Sequence, residues 1–211
     1  MTEPITKPRR PGRPPKLDRD NLETRDVLIR RGLEVLTEQG FTATGLDFLL
    51  KQVGIPKGSF YNYFPSKEAF VRVVLDHYAD YFARLLDRHL LDESMSPLER
   101  LVSFVQAAKA GMARHEFRRG CMVGNLGQEI GVLPEGFRPL LEQIQQDWQA
   151  RLATCLRSAQ AAGELPHSAH CEDLAAFFWI GWEGAVLRAR LVQGEAPLNT
   201  FIAGFLRGLP Q

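Results

Sequence analysis

The sequence predicts an all-α fold, in which an N-terminal three-helix helix-turn-helix domain precedes a larger helical domain. Apolar residues recur at helical spacing through most of the chain. A turn signal, Gly54-Ile55-Pro56, interrupts this pattern, and capping residues and glycines mark where one helix stops and the next starts. Because 211 residues can hold a small domain and a larger one, we place the boundaries at residues 1–17, 18–65 and 66–211.

Residues 1–17 form a basic, proline-rich segment, in which five basic residues are accompanied by one acid, Glu3. Prolines oppose helix formation and few apolar side chains are available to bury, so we predict a disordered basic arm. The sequence Gly12-Arg13-Pro14 is similar to arms that enter the minor groove of A·T-rich DNA, whose strong negative potential would attract Arg13. A solubilising tail is the alternative.

Three short helices are predicted within residues 18–65. The first ends at Gly40, and the second carries leucines on one face, with Thr44 as its predicted N-cap. The third covers residues 57–63, where Phe60 and Phe64 point the same way and anchor it on the other two. Its other side chains are compact, flat or charged, which suits the groove of a nucleic acid. A solvated face on a short surface helix is the alternative.

The segment from Val53 to Phe64, together with Gly40-Phe41 and Ser66-Lys67-Glu68, closely resembles the DNA-binding domain of TetR-type transcriptional regulators. The resemblance implies that a set of side chains faces double-stranded DNA, namely Thr44, Lys57, Ser59, Tyr61, Asn62 and Tyr63. It also implies that Lys67 holds a phosphate. Many relatives carry a histidine at the position of Asn62, and an asparagine can read adenine through two hydrogen bonds.

Helix signals continue through residues 66–211. Ser66 is placed to cap a long helix that reaches about Leu91. The predicted apolar stripe of this helix comprises Phe70, Val74, His77, Tyr81 and Leu85. The sequence Ser96-Pro97-Leu98-Glu99 has the serine, proline and glutamate of a helix start. A further amphipathic helix is predicted from Pro139 to Ala162, where Gly163 ends it.

The segment that begins at Leu174 is apolar almost all round up to Arg188. A helix without a solvated face has to be buried on two sides, once by its own domain and once by another surface. A second copy of the chain is the simplest candidate, and a final helix from about Leu198 to Leu206 can complete the contact. We therefore expect a homodimer, whose symmetry would match two DNA half-sites about one helical turn apart or a multiple of it.

Glu183 is a lone acid within this apolar helix. An unpaired buried charge is unfavourable by several kcal/mol, so Glu183 needs a partner. Arg188 would make a structural pair, whereas a bound ligand would give Glu183 a functional role. The residues that are predicted either to line a ligand pocket or to fill the core are Phe104, Met122, Asn125, Trp148, Trp179 and Trp182.

Two further blocks, residues 118–121 (Arg-Arg-Gly-Cys) and residues 179–185, are similar to those of a TetR subgroup that answers to acrylate and to reactive electrophiles. The resemblance implies a small unsaturated acid or an electrophile as the effector of residues 66–211, the predicted effector-binding and dimerisation domain. Arg118 or Arg119 would then hold a carboxylate. Cys121, flanked by cations and near a helix start, would have thiolate character. A small buried side chain is the alternative for Cys121.

Composition and motifs limit the other classes of function. The 26 basic and 25 acidic residues exclude a uniformly cationic nucleic-acid binder. The sequence has no secretory signal, no apolar run of about 18 residues and an odd set of three cysteines, so we expect a soluble cytoplasmic protein without membrane contact. Neither a Gly-x-Ser-x-Gly motif nor a His-Glu-x-x-His motif occurs, so we expect no catalysis, no cofactor and no metal site.

These patterns together predict a TetR-type transcriptional regulator, acting as a repressor that a small-molecule effector releases from its operator. The effector would tilt the long helix that starts after Ser66 and so change the spacing of the two recognition segments. The alternative is a small-molecule-binding helical protein whose helix-turn-helix serves protein contacts.

Overall fold

The computed structural model describes residues 16–211, with side-chain positions from residue 22 onwards. This part of the chain forms nine α-helices and no β-strand, which confirms the all-α prediction. The helices are α1 (Lys16–Gln39), α2 (Leu46–Val53), α3 (Lys57–Phe60), α4 (Lys67–Leu90), α5 (Pro97–Ala113), α6 (Met122–Gln128), α7 (Phe137–Ala161), α8 (Cys171–Val192) and α9 (Ala196–Arg207). Arg13 and residues 1–15 of the predicted arm lie outside the described residues, whereas Lys16 already belongs to α1.

The turn between α2 and α3 has the predicted form. Gly54 ends α2 with a φ of 69°, a left-handed conformation that glycine adopts without a steric penalty. α3 begins at Lys57 and is only four residues long, because the chain turns directly after it. The backbone N–H groups of Tyr63 and Phe64 both donate to the carbonyl of Phe60. The predicted helix over residues 57–63 is therefore a short helix followed by a turn.

The start of α2 differs from the prediction. Gly45, and not Thr44, occupies the N-cap position, where no side chain caps the helix. The Thr44 hydroxyl instead donates a hydrogen bond to the carbonyl of Gly40. Because Gly40 follows the end of α1, Thr44 fastens the loop between α1 and α2 to that end.

Three phenylalanine rings hold the α3 segment against α4. Phe60, Phe64 and Phe70 are all buried, and their ring centroids lie 5.5, 5.6 and 4.9 Å apart. Edge-to-face contacts of this kind add specific geometry to the apolar area that the rings bury. The orientation of the short α3 helix is therefore set by its packing on the first turn of α4.

α4 runs from the helix-turn-helix region into the larger domain, and its 24 residues span about 36 Å at the helical rise. Ser66 caps it as predicted, since its hydroxyl accepts the N–H of Ala69 at 3.0 Å. His77 and Tyr81 were predicted on the apolar stripe but are exposed. The buried stripe follows a neighbouring line along the helix and comprises Phe70, Val71, Val74, Leu75, Tyr78, Leu86 and Leu90.

In the larger domain α5, α6 and α7 pack against α4, α8 packs on α7, and α9 packs on α8 and α5. α5 starts with the predicted capping box, in which the Glu99 carboxylate accepts the N–H of Ser96 at 3.0 Å. Gly163, with a φ of 77°, follows the end of α7 as predicted. All residues predicted on the inner face of α7 are buried, namely Leu141, Ile144, Trp148, Leu152, Cys155 and Ala159.

α8 has two apolar faces, as the sequence predicts. Its inner face is buried by the domain and includes Phe178, Trp179 and Trp182. Its outer face is exposed and includes Ile180 and Leu191, which are 73% and 70% exposed. Isolated apolar residues are common on protein surfaces, but a continuous apolar face along a helix marks a contact surface. None of the described helices has the length and apolar character that a membrane crossing requires.

Candidate functional site

The first candidate site is the outward surface of the α3 segment, residues 57–63. Tyr61 is 53% exposed, and its ring packs edge-on against the buried ring of Phe60 at 5.4 Å. Asn62 is exposed beside it, and Ser59 and Tyr63 are half-buried. The segment therefore presents a flat ring and an amide to the outside from a rigid aromatic base, as predicted.

Lys57 joins this surface through an ion pair. Its Nζ lies 2.9 Å from Oδ1 of Asp47 on α2, and both side chains are largely exposed. The hydrogen bond to Asp47 raises the pKa of Lys57 above its ordinary value. An exposed pair of this kind contributes little to folding stability, and it links the start of α3 to α2 across the turn.

Two residues predicted to contact DNA lie elsewhere than expected. Thr44 is only 2% exposed, so its hydroxyl supports the α1–α2 loop and does not reach the surface. Lys67 donates from Nζ to the carbonyl of Phe41 at 2.7 Å and sits over the Phe41 ring. Its partial burial lowers the pKa of the Lys67 ammonium. This bond uses one of three donors, so a contact between Lys67 and a phosphate stays a prediction.

The second candidate site is an aromatic cluster inside the larger domain. It brings together five of the residues predicted there, namely Phe104, Met122, Trp148, Trp179 and Trp182, all of them buried. The ring centroids of Trp148 and Trp179 are 5.1 Å apart. The indole N–H groups of both tryptophans are buried and have no hydrogen-bond partner among the residues that the structure describes. Buried donors without acceptors are uncommon and call for an explanation.

Glu183 lies one helical turn beyond Trp179 on α8, at the edge of this cluster. Its Oε1 atom is buried and has no hydrogen-bond partner within the described part of the chain. The predicted alternative, a structural pair with Arg188, is wrong, because Arg188 is exposed on α8 and makes no ion pair with Glu183. Burial raises the pKa of the Glu183 carboxyl group to about 7. The cluster thus holds two indole donors and one carboxylate oxygen without a hydrogen-bond partner among the described residues.

Cys121 adjoins Glu183. Its sulfur occupies the N-cap position of α6, accepts the N–H of Gly124 at 3.5 Å, and is in hydrogen-bonding contact with Tyr78 and Glu183. Burial, and next to it the negative charge of Glu183, raises the pKa of the Cys121 thiol well above its ordinary value. The buried position of Cys121 agrees with the alternative of a small buried side chain, and the raised pKa opposes thiolate character, so a reactive thiol stays an untested prediction.

Arg118 and Asn125 are not part of the cluster either. The Arg118 side chain is 63% exposed and pairs with Glu116 at 3.5 Å, so it points away from the predicted carboxylate site. The Asn125 amide donates to the carbonyls of Leu36 and Thr37 in α1, at 3.2 and 2.9 Å. Asn125 therefore connects the larger domain to α1 and does not line a pocket.

Sequence reasoning missed two aromatic members of the cluster, Tyr78 and Phe82 on α4. Their rings stack at 5.8 Å, and Phe82 lies 4.4 Å from Trp148 by ring centroids. The spacing of four residues between them was the available signal, because such residues share a helix face. Among the described residues, no group of three His, Cys, Asp or Glu side chains is arranged to hold a metal ion.

Comparison with known proteins finds two matching family models. Residues 28–74 match the model described as bacterial regulatory proteins, tetR family. Residues 97–205 match the model described as Tetracyclin repressor-like, C-terminal domain. The two matches cover most of the helices described above.

Individual relatives agree with these matches. The chain is 51% identical over 201 residues to transcriptional regulator AcuR from Cereibacter sphaeroides. The aligned region covers 95% of this chain and 91% of that protein. It is 31% identical over 182 residues to the HTH-type transcriptional repressor NemR from Escherichia coli, covering 86% of this chain and 91% of that protein. The crystal structure of regulatory protein TetR from Rhodobacter sphaeroides superposes with a TM-score of 0.86 at 50% identity, covering 88% of this chain and 98% of that one.

Proposed function

The chain belongs to the TetR family of DNA-binding transcriptional regulators, and from this premise we propose that it is a cytoplasmic, homodimeric repressor released from its operator by a small-molecule effector. Residues 18–65 would form the DNA-binding domain, and residues 66–211 the effector-binding and dimerisation domain. One relative is named a transcriptional regulator and another a transcriptional repressor.

The proposed DNA-binding function is supported by the outward surface of the α3 segment. Tyr61 and Asn62 are exposed side by side, while Phe60 behind them is fully buried. An asparagine amide can make two hydrogen bonds to adenine in the major groove, and a tyrosine offers a ring and a hydroxyl to a base or a phosphate. Lys57, held by Asp47 on the same surface, adds a positive charge for the phosphate backbone.

The homodimer is supported by the outer apolar face of α8. Ile180 and Leu191 lie exposed on it, and Phe201 of α9 lines a neighbouring groove of about 550 Å³ together with Gly184. Pairing the α8 and α9 faces of two copies would cover these side chains and place two recognition segments symmetrically on one duplex.

The effector site is supported by the orphan polar atoms of the aromatic cluster. A small unsaturated acid could accept hydrogen bonds from the indole N–H groups of Trp148 and Trp179, and share a proton with the carboxyl group of Glu183. The raised pKa of Cys121 favours this non-covalent acid over an electrophile that needs a thiolate. Binding would act on α4, which carries Tyr78 and Phe82 in the cluster and reaches the DNA-binding domain.

One operator-binding experiment tests the proposal. A duplex is first selected from a random pool with the wild-type protein, and its affinity is compared with that of an unrelated duplex. Replacing Tyr61 or Asn62 by alanine should weaken binding to the selected duplex by about 1–3 kcal/mol, and binding to the unrelated duplex much less. Gln143→Ala, which removes an exposed amide on α7, is the matched control and should change neither affinity. Equal losses for both duplexes would show that these residues do not read bases.

The same assay with acrylate added tests the effector. Wild-type protein and the Cys121→Ser variant should both release the selected duplex, whereas Glu183→Gln should require a higher concentration of acrylate. A response that disappears only in Cys121→Ser would instead assign the sensing to the thiol. Failure of acrylate to release any of the three proteins would remove this acid as the effector.

A further inference from the structure

The C-terminal end of α1 is held by groups from the larger domain. The Asn125 amide donates to the carbonyls of Leu36 and Thr37, at 3.2 and 2.9 Å. The backbone N–H of Gly120 also donates to the carbonyl of Thr37, at 3.0 Å. The last carbonyls of a helix have no partner within the helix, so these donors complete the end of α1.

Arg190, in the last turn of α8, reaches the same place. Its guanidinium donates to the carbonyl of Glu38 at 2.6 Å, to Oδ1 of Asn125 at 2.9 Å and to the carbonyl of Arg118 at 3.2 Å. A cation at the C-terminal end of a helix also interacts favourably with the partial negative charge there. Arg190 therefore joins α1, α6 and the segment before α6 through one planar group.

Glu129, directly after α6, holds the loop that follows α1. Its two carboxylate oxygens accept the backbone N–H groups of Phe41 and Thr42, at 2.8 and 2.7 Å. Gly40 lies so close that a Cβ atom there would overlap the Glu129 carboxylate. The start of the helix-turn-helix is thus fixed to the end of α6 by two charge-assisted bonds.

Another side of α6 lies against Glu183 of the candidate effector site. Gly124, the residue before Asn125, leaves no space for a side chain, because a Cβ atom there would overlap Oε2 of Glu183. α6 is only seven residues long. A displacement of the Glu183 carboxylate towards α6 would therefore press on the residue next to Asn125.

From these contacts we infer that Asn125, Glu129 and Arg190 are positioning residues for operator binding, which lock the DNA-binding domain to α6 in the orientation that the operator requires. The inference rests on the proposed repressor function. A ligand at Glu183 that moves α6 would change this orientation in both protomers. Specific binding, which depends on the spacing of two recognition segments, would be lost, while general attraction to phosphates would remain.

The test compares Arg190→Gln and Glu129→Gln in the full-length protein without any effector. We expect each variant to lose about tenfold in affinity for the duplex selected by the wild-type protein, and to keep its affinity for an unrelated duplex. The two substitutions remove charges of opposite sign, so a common loss cannot come from charge alone. Arg207→Gln removes an arginine whose guanidinium donates to the carbonyl of Ala203 within α9, and this variant should keep both affinities.

Gly124→Ala and Gly127→Ala provide a second, matched pair on α6. A Cβ atom at Gly127 meets nothing within 4 Å, whereas one at Gly124 overlaps Glu183. Gly124→Ala should therefore weaken binding to the selected duplex without effector, and Gly127→Ala should not. Hydrogen exchange at the backbone N–H groups of Phe41 and Thr42 should become faster in Glu129→Gln, because their hydrogen bonds to residue 129 are weaker.

The outcomes separate this inference from the proposed function. Unchanged affinity of Arg190→Gln and Glu129→Gln for the selected duplex would overturn the inference, as would equal losses for the selected and the unrelated duplex. A wild-type protein that selects no duplex at all would instead refute the proposed repressor function.

Discussion

Single residues show what the sequence could and could not predict about the effector site. Glu183 was recognisable because it is an acid in an otherwise apolar helix, and the structure gives it no ion-pair partner. Its neighbours Tyr78, Cys121 and Gly124 come from α4 and α6. No local pattern links residues so far apart in the sequence, which is why the environment that raises the pKa of Cys121 was not predicted.

Glu183 should make the stability of the protein depend on pH. Its pKa is raised from 4.5 to about 7 on folding, so the folded protein binds the extra proton between these values. The contribution of this proton to the free energy of unfolding is fully present below about pH 4.5. It is lost as pH rises to about 7, and the free energy does not change further above that pH on account of Glu183. Glu183→Gln lacks this loss, so its stability relative to the wild type should rise by about 3 kcal/mol over this range.

Urea unfolding at about pH 5 and about pH 8, at one protein concentration, measures this difference. Between about pH 5 and about pH 8 the wild type should lose free energy of unfolding relative to Glu183→Gln. Parallel behaviour of the variant and the wild type would mean that Glu183 is ionised in the folded protein throughout.

At the scale of elements, the positions of helices followed from local signals. The capping groups of Ser66 and Ser96, and the glycines that end α2 and α7, act within one or two turns and are visible in the sequence. The face that α4 buries was predicted less well, as the exposure of His77 shows. α4 contacts α1, α5, α6 and α7, so its buried arc is wide and the hydrophobic pattern alone does not fix its rotation.

The packing of α8 on α9 depends on a close approach at Gly181. A Cβ atom there would overlap the ring of Phe201, and overpacking of this kind typically lowers stability by about 1–3 kcal/mol. Gly181→Ala should therefore unfold at a lower urea concentration than the wild type. The matched control is Gly111→Ala in α5, where a Cβ atom meets nothing within 4 Å. This control should gain about 0.5–1 kcal/mol from improved helix propensity.

A Gly181→Ala variant as stable as the control would show that Phe201 has room to move away. In that case the aromatic contact between α8 and α9 would be adaptable rather than tightly fitted.

At the scale of the whole molecule, the exposed face of α8 could be predicted from the sequence, whereas the contacts that hold the end of α1 could not. These contacts form the junction between α1 and the larger domain. The two-sided apolar character of α8 is a property of one continuous segment, and it was predicted. The junction joins Arg190 to the backbone carbonyl of Glu38 and Glu129 to the backbone N–H of Phe41, and Arg190 and Glu129 look like ordinary surface charges in the sequence. Only the packing of the whole chain brings these charges to a helix end.

Ile180→Glu should separate the proposed dimer into monomers. It places a charge at the centre of the outer face of α8, where Ile180 is exposed in one copy, and a buried unpaired charge in the interface would be unfavourable by several kcal/mol. Light scattering after size exclusion should give half the mass of the wild type, with loss of binding to the selected duplex. Val132→Glu changes another exposed apolar residue and should remain dimeric. An Ile180→Glu protein that keeps the wild-type mass would place the dimer contact on another surface.

The exposed pair between Lys57 and Asp47 has a consequence for how the regulator searches a genome. In the free protein the carboxylate of Asp47 lies 2.9 Å from the Lys57 ammonium and offsets its charge near arbitrary phosphates. In a non-specific complex in which this pair stays closed, Lys57 neutralises no phosphate, so fewer counterions are released and binding to unrelated sequence is weaker. A repressor that must locate one operator among a large excess of competing sites would spend less time on the wrong ones.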